Sequence, residues 1–281
     1  MRFGIHLPQA GRAASADAIT EAARQAESFG FEDIWVSDHV AIPRDAAYPP
    51  SAYIIEPLIA LSWAAAATKT IGLGTTVLIV SMRQPVVLAK MLSSIDVLSG
   101  GRVIVGAASG WLEKEFDSLG VKFADRGQRC DEAIDIMRRC WDEDPIDLEA
   151  PASDVKMVDM RMKPQPGRKI QIWVGGHSGP AIRRAIERGD GWHGGFQSAE
   201  ATAPFVEKLR AGRPEEAYTL SMRTRWDALE DDGSSILKDL EDLERVGIQH
   251  VVAEPRQRDL DSWLRCGEAF ARILEKHGRA G

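Results

Sequence analysis

Eight short apolar runs, each followed by a stretch with helical periodicity, constrain this chain more than any single motif. A continuous apolar strand must be covered on both faces and a striped helix must bury its stripe. Repeated strand–helix units therefore favour a parallel sheet wrapped in helices. Arg2–Leu7 reads as the first strand and Ala16–Phe29 as the first helix, with Ile19, Ala22, Ala23, Ala26 and Phe29 on one face and Gly30 as its stop. Asp33–Ser37, Ile71–Val80 and Arg102–Ala107 continue the strands. Between and after them come helices at Pro57–Thr68, at Pro85–Leu98 (core face Leu88, Met91, Leu92, Ile95 and Leu98) and at Arg126–Trp141. Four further units follow: Ile170–Val174 with Pro180–Arg188, Gly191–Gly194 with Ala199–Ala211, Tyr218–Trp226 with Ser234–Val246, and Gln249–Ala253 with Leu260–His277. Eight units in 281 residues favour one closed (β/α)8 TIM barrel spanning residues 1–281, with a doubly wound open sheet as the alternative. The less regular stretch 143–169 is expected to be an insertion at the C-terminal mouth.

Composition removes several classes of function. With 35 basic and 42 acidic residues the formal charge is −7 and the signs are mixed, so nucleic acid has no electrostatic footing here. No apolar run approaches membrane-spanning length, and Arg2–Ala14 lacks the apolar core of a signal peptide. The three cysteines follow no metal-finger spacing. Cys130 falls in line with Ile134, Met137 and Trp141, which points to packing and a reduced, cytoplasmic setting. Gly72-Leu-Gly74 is half of a dinucleotide fingerprint without its third glycine or a following helix. No phosphate loop, HExxH or GxSxG elbow occurs. Asp38, His39 and His177 could be imagined as metal ligands of a barrel hydrolase, but the HxH pair after the first strand and the lysine of such enzymes are missing.

A barrel places its active site at the strand C-termini, which selects the reactive side chains just past each run. These are His6 and Gln9; Asp38 and His39; Thr76, Ser81 and Arg83; Ser109, Gly110 and Trp111; His177 and Ser178; His193; Arg225 and Trp226; and Glu254. His250 and His277 fall outside that set. After the fifth run, Trp173-Val-Gly-Gly-His-Ser-Gly-Pro180 brings two glycines to a helix start. Glycine permits close backbone approach, and a helix N-terminus offers unpaired N–H groups to an anion. A phosphate over Gly175, Gly176, His177, Ser178 and Gly179 is the expected guest, with an ordinary strand-to-helix turn as the alternative.

Trp35-Val-Ser-Asp-His39, Gly72-Leu-Gly-Thr-Thr-Val77, Leu98-Ser-Gly-Gly-Arg102, Gly110-Trp-Leu-Glu-Lys-Glu-Phe116, Trp173-Val-Gly-Gly176 and Gly189-Asp-Gly-Trp192 together resemble the bacterial luciferase-like monooxygenase superfamily. The likeness is greatest to its deazaflavin branch, whose coenzyme is F420, and it runs from residue 1 to about residue 193. The resemblance implies a cofactor at the strand C-termini, F420 or alternatively FMN, usually in a homodimer. It implies a non-proline cis peptide at Thr76–Val77 against the ring, and cofactor contacts from Asp38, His39, Thr76, Val77 and Gly110. It also implies an acid–base role for His39. Pro151–Met162 departs from the family by lacking a Phe-x-Gly-x-Tyr, and Trp111 stands where some sugar-phosphate dehydrogenases carry an acid, with Glu113 and Glu115 just beyond. The expected activity is hydride transfer between F420 and a small substrate. The alternatives are an FMN monooxygenase fed by a separate reductase, a non-catalytic cofactor carrier and a metal-dependent hydrolase.

Overall fold

The sheet closes on itself. In the computed structural model, which describes residues 1–230, 233–255, 257, 259–276 and 278, eight parallel staves form a barrel with helices outside. The strands are β1 (Arg2–His6), β2 (Asp33–Val36), β3 (Gly72–Thr75), β4 (Leu78–Ile79), β5 (Val103–Ala108), β6 (Ile146–Ala150), β7 (Val155–Met160), β8 (Gln171–Gly175), β9 (Gly191–Gly195), β10 (Thr219–Thr224) and β11 (His250–Ala253). The order runs β3-β2-β1-β11-β10-β9-β8-β5-β4, and β3 also pairs with β5, which completes the ring. The Ile71–Val80 run is thus one stave in two pieces, β3 and β4, and the break between them is the cis peptide Thr76–Val77.

The helices that cover this ring start and stop on ordinary signals. They are α1 (Ala16–Ser28), α2 (Pro57–Ala67), α3 (Pro85–Ser99), α4 (Glu113–Ser118), α5 (Arg126–Asp142), α6 (Gly179–Arg188), α7 (Ala199–Gly212), α8 (Ser234–Arg245) and α9 (Leu260–Lys276). The Ser15 hydroxyl accepts from the Ala18 N–H at the start of α1, proline opens α2 and α3, and Gly100 ends α3 at φ 77°. His277, expected at the end of the last helix, lies outside the described residues. Among the described residues no helix is long and apolar enough to cross a membrane. Cys130, Cys140 and Cys266 are free and buried, as packing residues should be.

Three sequence expectations need correction. On α3 the buried stripe runs through Leu88, Leu92, Ile95 and Ser99, so Met91 and Leu98 lie about a quarter-turn away and Leu98 is 87% exposed. The short helix α4 was not anticipated. Residues 143–169 are irregular only in part: Ile146–Ala150 and Val155–Met160 form an antiparallel hairpin, β6–β7. The hairpin leaves the end of α5 and returns to the start of β8, which places its attachment on the side where the strands begin. It lies along α5, where Glu132 accepts from the N–H groups of Ala152 and Ser153.

Large rings fill the barrel interior where glycines make room. Trp35 stacks on Trp173 at 5.4 Å and on His193 at 5.0 Å, and His250 tilts against both tryptophans. Gly74 is the register partner of Trp35 and Gly4 that of Asp33, and a Cβ at either would overlap the Trp35 indole. The period of two that turns Asp33 and Trp35 inward also turns in His193, Ser221 and Arg223.

Candidate active site

At the strand C-termini lies a cleft of ≈ 430 Å³ that collects nearly all of the expected residues. Asp38, His39, Thr76, Val77, Gly110, Gly175, Gly176, His177 and Ser178 line it, whereas Gly179, the first residue of α6, stands just outside. Such a volume suits a drug-sized ligand or part of a cofactor.

The cis-bonded pair forms one wall and is fixed from behind. The Asp38 carboxylate accepts the Ile79 N–H at 2.8 Å and both terminal nitrogens of Arg83, at 2.5 and 2.8 Å. Asp38 therefore shapes the cleft by holding the chain just after the bulge. Burial pushes its carboxyl up, against the pull of Arg83 and the Ile79 N–H. On the other side Val77 packs into a gap left by Gly175, where a Cβ would come within 2.8 Å of its methyl.

His39 has a buried acidic partner that sequence reading left without a role. Its Nδ1 lies 2.9 Å from Oε2 of Glu115, while Oε1 accepts the N–H groups of Val40 and Ala41 at 2.5 and 3.1 Å. Burial pushes the Glu115 carboxyl up, but the hydrogen bonds from His39, Val40 and Ala41 outweigh it and leave the group below the usual range. The short helix α4 thus brings a buried acid beside His39. A carboxylate placed this way accepts a hydrogen bond from the Nδ1–H and leaves Nε2 for other partners. Trp111, 54% exposed, meets the His39 ring edge-on at 6.1 Å.

The opposite wall is the loop from β8 to α6. Gly176 has φ +112° and its carbonyl accepts the Trp192 indole N–H at 2.9 Å. The Ser178 hydroxyl caps α6 by accepting from the Ala181 N–H at 3.3 Å. His177 is half-buried against Trp192 and Phe205, and burial lowers its pKa, so it reaches the loop as a neutral ring rather than an added positive charge.

A charged cluster joins the base of the cleft to its rim. Arg223, missed in the sequence, donates to the Thr76 carbonyl and the Ser37 hydroxyl at 2.9 Å each, and pairs with Glu254 at 2.9 Å. Arg225 shares that carboxylate at 3.1 Å. The inward position of Arg223 on β10, two residues beyond Ser221, was the available signal. His193, expected past a strand end, lies within β9 and is buried. Among the described residues no cluster of three His, Cys, Asp or Glu could hold a metal ion.

Burial lowers His6 and His193 to about 3, so both are neutral in the folded protein. The unfolded chain protonates both below about pH 6.5. The unfolded state then binds more protons, so their stability contribution is full above that pH and is lost as pH falls towards 3. The loss is on the order of 2 kcal/mol per histidine by pH 5. Thermal unfolding should show a clear fall in Tm from pH 7.5 to pH 5. A flat Tm over that interval would mean that the two rings already carry protons when folded.

A family model described as luciferase-like monooxygenase matches residues 1–232. An uncharacterized protein of Mycobacterium tuberculosis is 32% identical over 219 residues, which cover 71% of this chain and 75% of that protein. An F420-dependent glucose-6-phosphate dehydrogenase of Amycolatopsis mediterranei is 29% identical over 180 residues, 62% of this chain and 52% of the relative. Among solved structures, an F420-dependent secondary alcohol dehydrogenase in complex with an F420–acetone adduct has a TM-score of 0.81. That alignment covers 97% of this chain and 98% of the other at 17% identity, a likeness of fold.

Proposed function

The chain belongs to the luciferase-like monooxygenase family, and on that premise we propose that it is an oxidoreductase that moves a hydride between coenzyme F420 in the cleft and a small organic substrate. The observation that carries this reading is the pair of His39 and buried Glu115 at 2.9 Å, beside the cis-bonded wall. The lining also fits a ring compound with a phosphate-bearing tail. The Thr76–Val77 wall offers a surface for the ring, and Gly175–Ser178 with the start of α6 offers backbone donors and a favourable dipole for the anion.

When bound, F420 supplies a carrier that accepts or gives up a hydride. Everything else falls to the protein. Glu115 holds the Nδ1 proton of His39 and fixes the ring's orientation, so Nε2 can take a proton from a substrate hydroxyl or return it. Asp38 and Arg83 hold the bulge, and Trp111 limits the approach of water to His39. Anaerobic turnover tests the reading. With F420 as sole electron carrier, a panel of secondary alcohols and hydroxy acids should yield substrate-dependent reduction. Turnover that requires reduced FMN, a separate reductase and oxygen would instead identify a monooxygenase.

We further propose a homodimer built on α2 and α3. Ile59 and Trp63 on α2 and Val87 on α3 are each more than half exposed (57, 53 and 57%), with Leu98 on the same side of α3. Ile59 and Trp63 stand at i, i+4 on α2 and Val87 and Leu98 at i, i+11 on α3, two helices that pack on one another, and water disfavours such exposed apolar side chains. Ile59→Glu with Val87→Glu should halve the mass measured by light scattering. A dimer that persists would place the interface elsewhere.

A further inference from the structure

Below the cleft a chain of hydrogen bonds crosses the barrel interior from the far end of β2. Asp33 at the start of β2 meets Nε2 of His250 at 2.9 Å, and Nδ1 of His250 meets the Ser221 hydroxyl at 2.7 Å. That hydroxyl meets Nδ1 of His193 at 2.8 Å, and Nε2 of His193 meets the Thr76 hydroxyl at 2.8 Å. All five residues are buried, and Thr76 alone among them lines the cleft.

The order of donors in this chain is not free. A carboxylate can only accept, so His250 donates from Nε2. Burial pushes Asp33 up, but His250, Trp35 and Arg2 outweigh it and leave the group a carboxylate. When His250 and His193 each carry one N–H, Nδ1 of His250 is bare and Ser221 must donate to it. Ser221 has a single proton, so it accepts from Nδ1–H of His193, whose Nε2 is then bare. Thr76 must donate to that nitrogen. Only lone pairs remain on its oxygen.

We propose that the His250–Asp33 pair holds a single proton, on Nε2, and that Asp33 thereby sets the Thr76 hydroxyl, through His250, Ser221 and His193, as an acceptor toward the cleft, so that this point selects a ligand offering N–H or O–H and disfavours one offering a carbonyl oxygen. The proposal rests on the cofactor reading only for the identity of the ligand. The deazaflavin and flavin rings both carry ring N–H groups that meet the requirement. Asp33, His250, Ser221 and His193 act as positioning residues, and Thr76 is the specificity-determining one. A second proton, on Nδ1 of His250, would leave the bond to Asp33 as it is, run the later bonds in reverse and make Thr76 a donor.

Two measurements test this. Nitrogen-15 NMR of the ligand-free protein at pH 7.5 should find His193 protonated on Nδ1 only and His250 on Nε2 only. The reverse tautomer of His193, or a doubly protonated His250, overturns the proposal whether or not F420 binds. Titrations with F420 and with FMN then use Thr76→Val, Thr76→Ser, Ser221→Ala and the Thr76→Val/Ser221→Ala double variant. Thr76→Val should weaken whichever cofactor binds by about 3- to 10-fold, with Thr76→Ser restoring affinity. Ser221→Ala, which lies outside the cleft, should weaken binding in the wild-type background and have no further effect beside Thr76→Val. Two independent, additive losses would show that Ser221 acts through packing alone and contradict the proposal. If neither cofactor binds, the functional reading above fails, while the NMR result still decides the polarity of Thr76.

Discussion

Replacing His39 with alanine should lower turnover by ~10²–10⁴-fold, the usual contribution of a positioned general acid or base. The loss should fall on kcat, with F420 affinity nearly unchanged. His39 makes its protein contact to Glu115 on α4, and the bulge is held by the separate Asp38–Arg83 pair. Glu115→Gln keeps the shape but replaces a carboxylate that accepts three hydrogen bonds with an amide, which has one oxygen to offer and must turn its NH2 toward donors. Its effect on kcat should be in the same direction and smaller. Steady-state rates with F420 and a reactive alcohol, measured for both variants, check the pair. Unchanged turnover in His39→Ala with intact cofactor binding would return His39 to a packing role.

Gly176→Val should abolish measurable F420 binding while leaving the barrel folded. The φ of +112° is one that a β-branched residue scarcely adopts, and a Cβ there would sit 3.0 Å from the Ala181 methyl at the start of α6. The loop would have to leave the position in which Gly175–Ser178 line the cleft. Because Gly176 lies at the rim rather than in the interior, circular dichroism should remain that of the wild type. Ser178→Ala is the milder comparison: its hydroxyl caps α6 through Ala181, so its loss should weaken binding modestly with the backbone donors in place. Full F420 affinity in Gly176→Val would make this loop only a turn and send the phosphate elsewhere.

Much of the architecture was readable because apolar periodicity and turn residues are local. The paired glycines at Gly100–Gly101, Ser15 before α1 and the prolines opening α2 and α3 mark boundaries without reference to anything distant. The wall at Thr76–Val77 was legible only through family likeness, since two β-branched residues in an apolar run read as plain strand. What escaped was set by contacts across the barrel. Glu115 is 76 residues from His39, and Asp33 is 217 residues from His250. No spacing rule joins such pairs. His250 opens β11, at the strand end away from the cleft, yet closure of the sheet brings it into line with Ser221 and His193. The hairpin β6–β7 does carry the strand period of two, Ile146, Leu148 and Ala150 inward and then Val155 and Met157, but over windows of only five or six residues separated by the Pro151–Ser153 turn.

The central claim is that this cleft is built for F420, and side-by-side equilibrium titrations of the purified protein with F420, FMN and FAD test it most directly. F420 should bind tightest, with saturation lost in Gly176→Val and retained in His39→Ala. Tighter binding of FMN, accompanied by oxygen-dependent product formation, would contradict the claim.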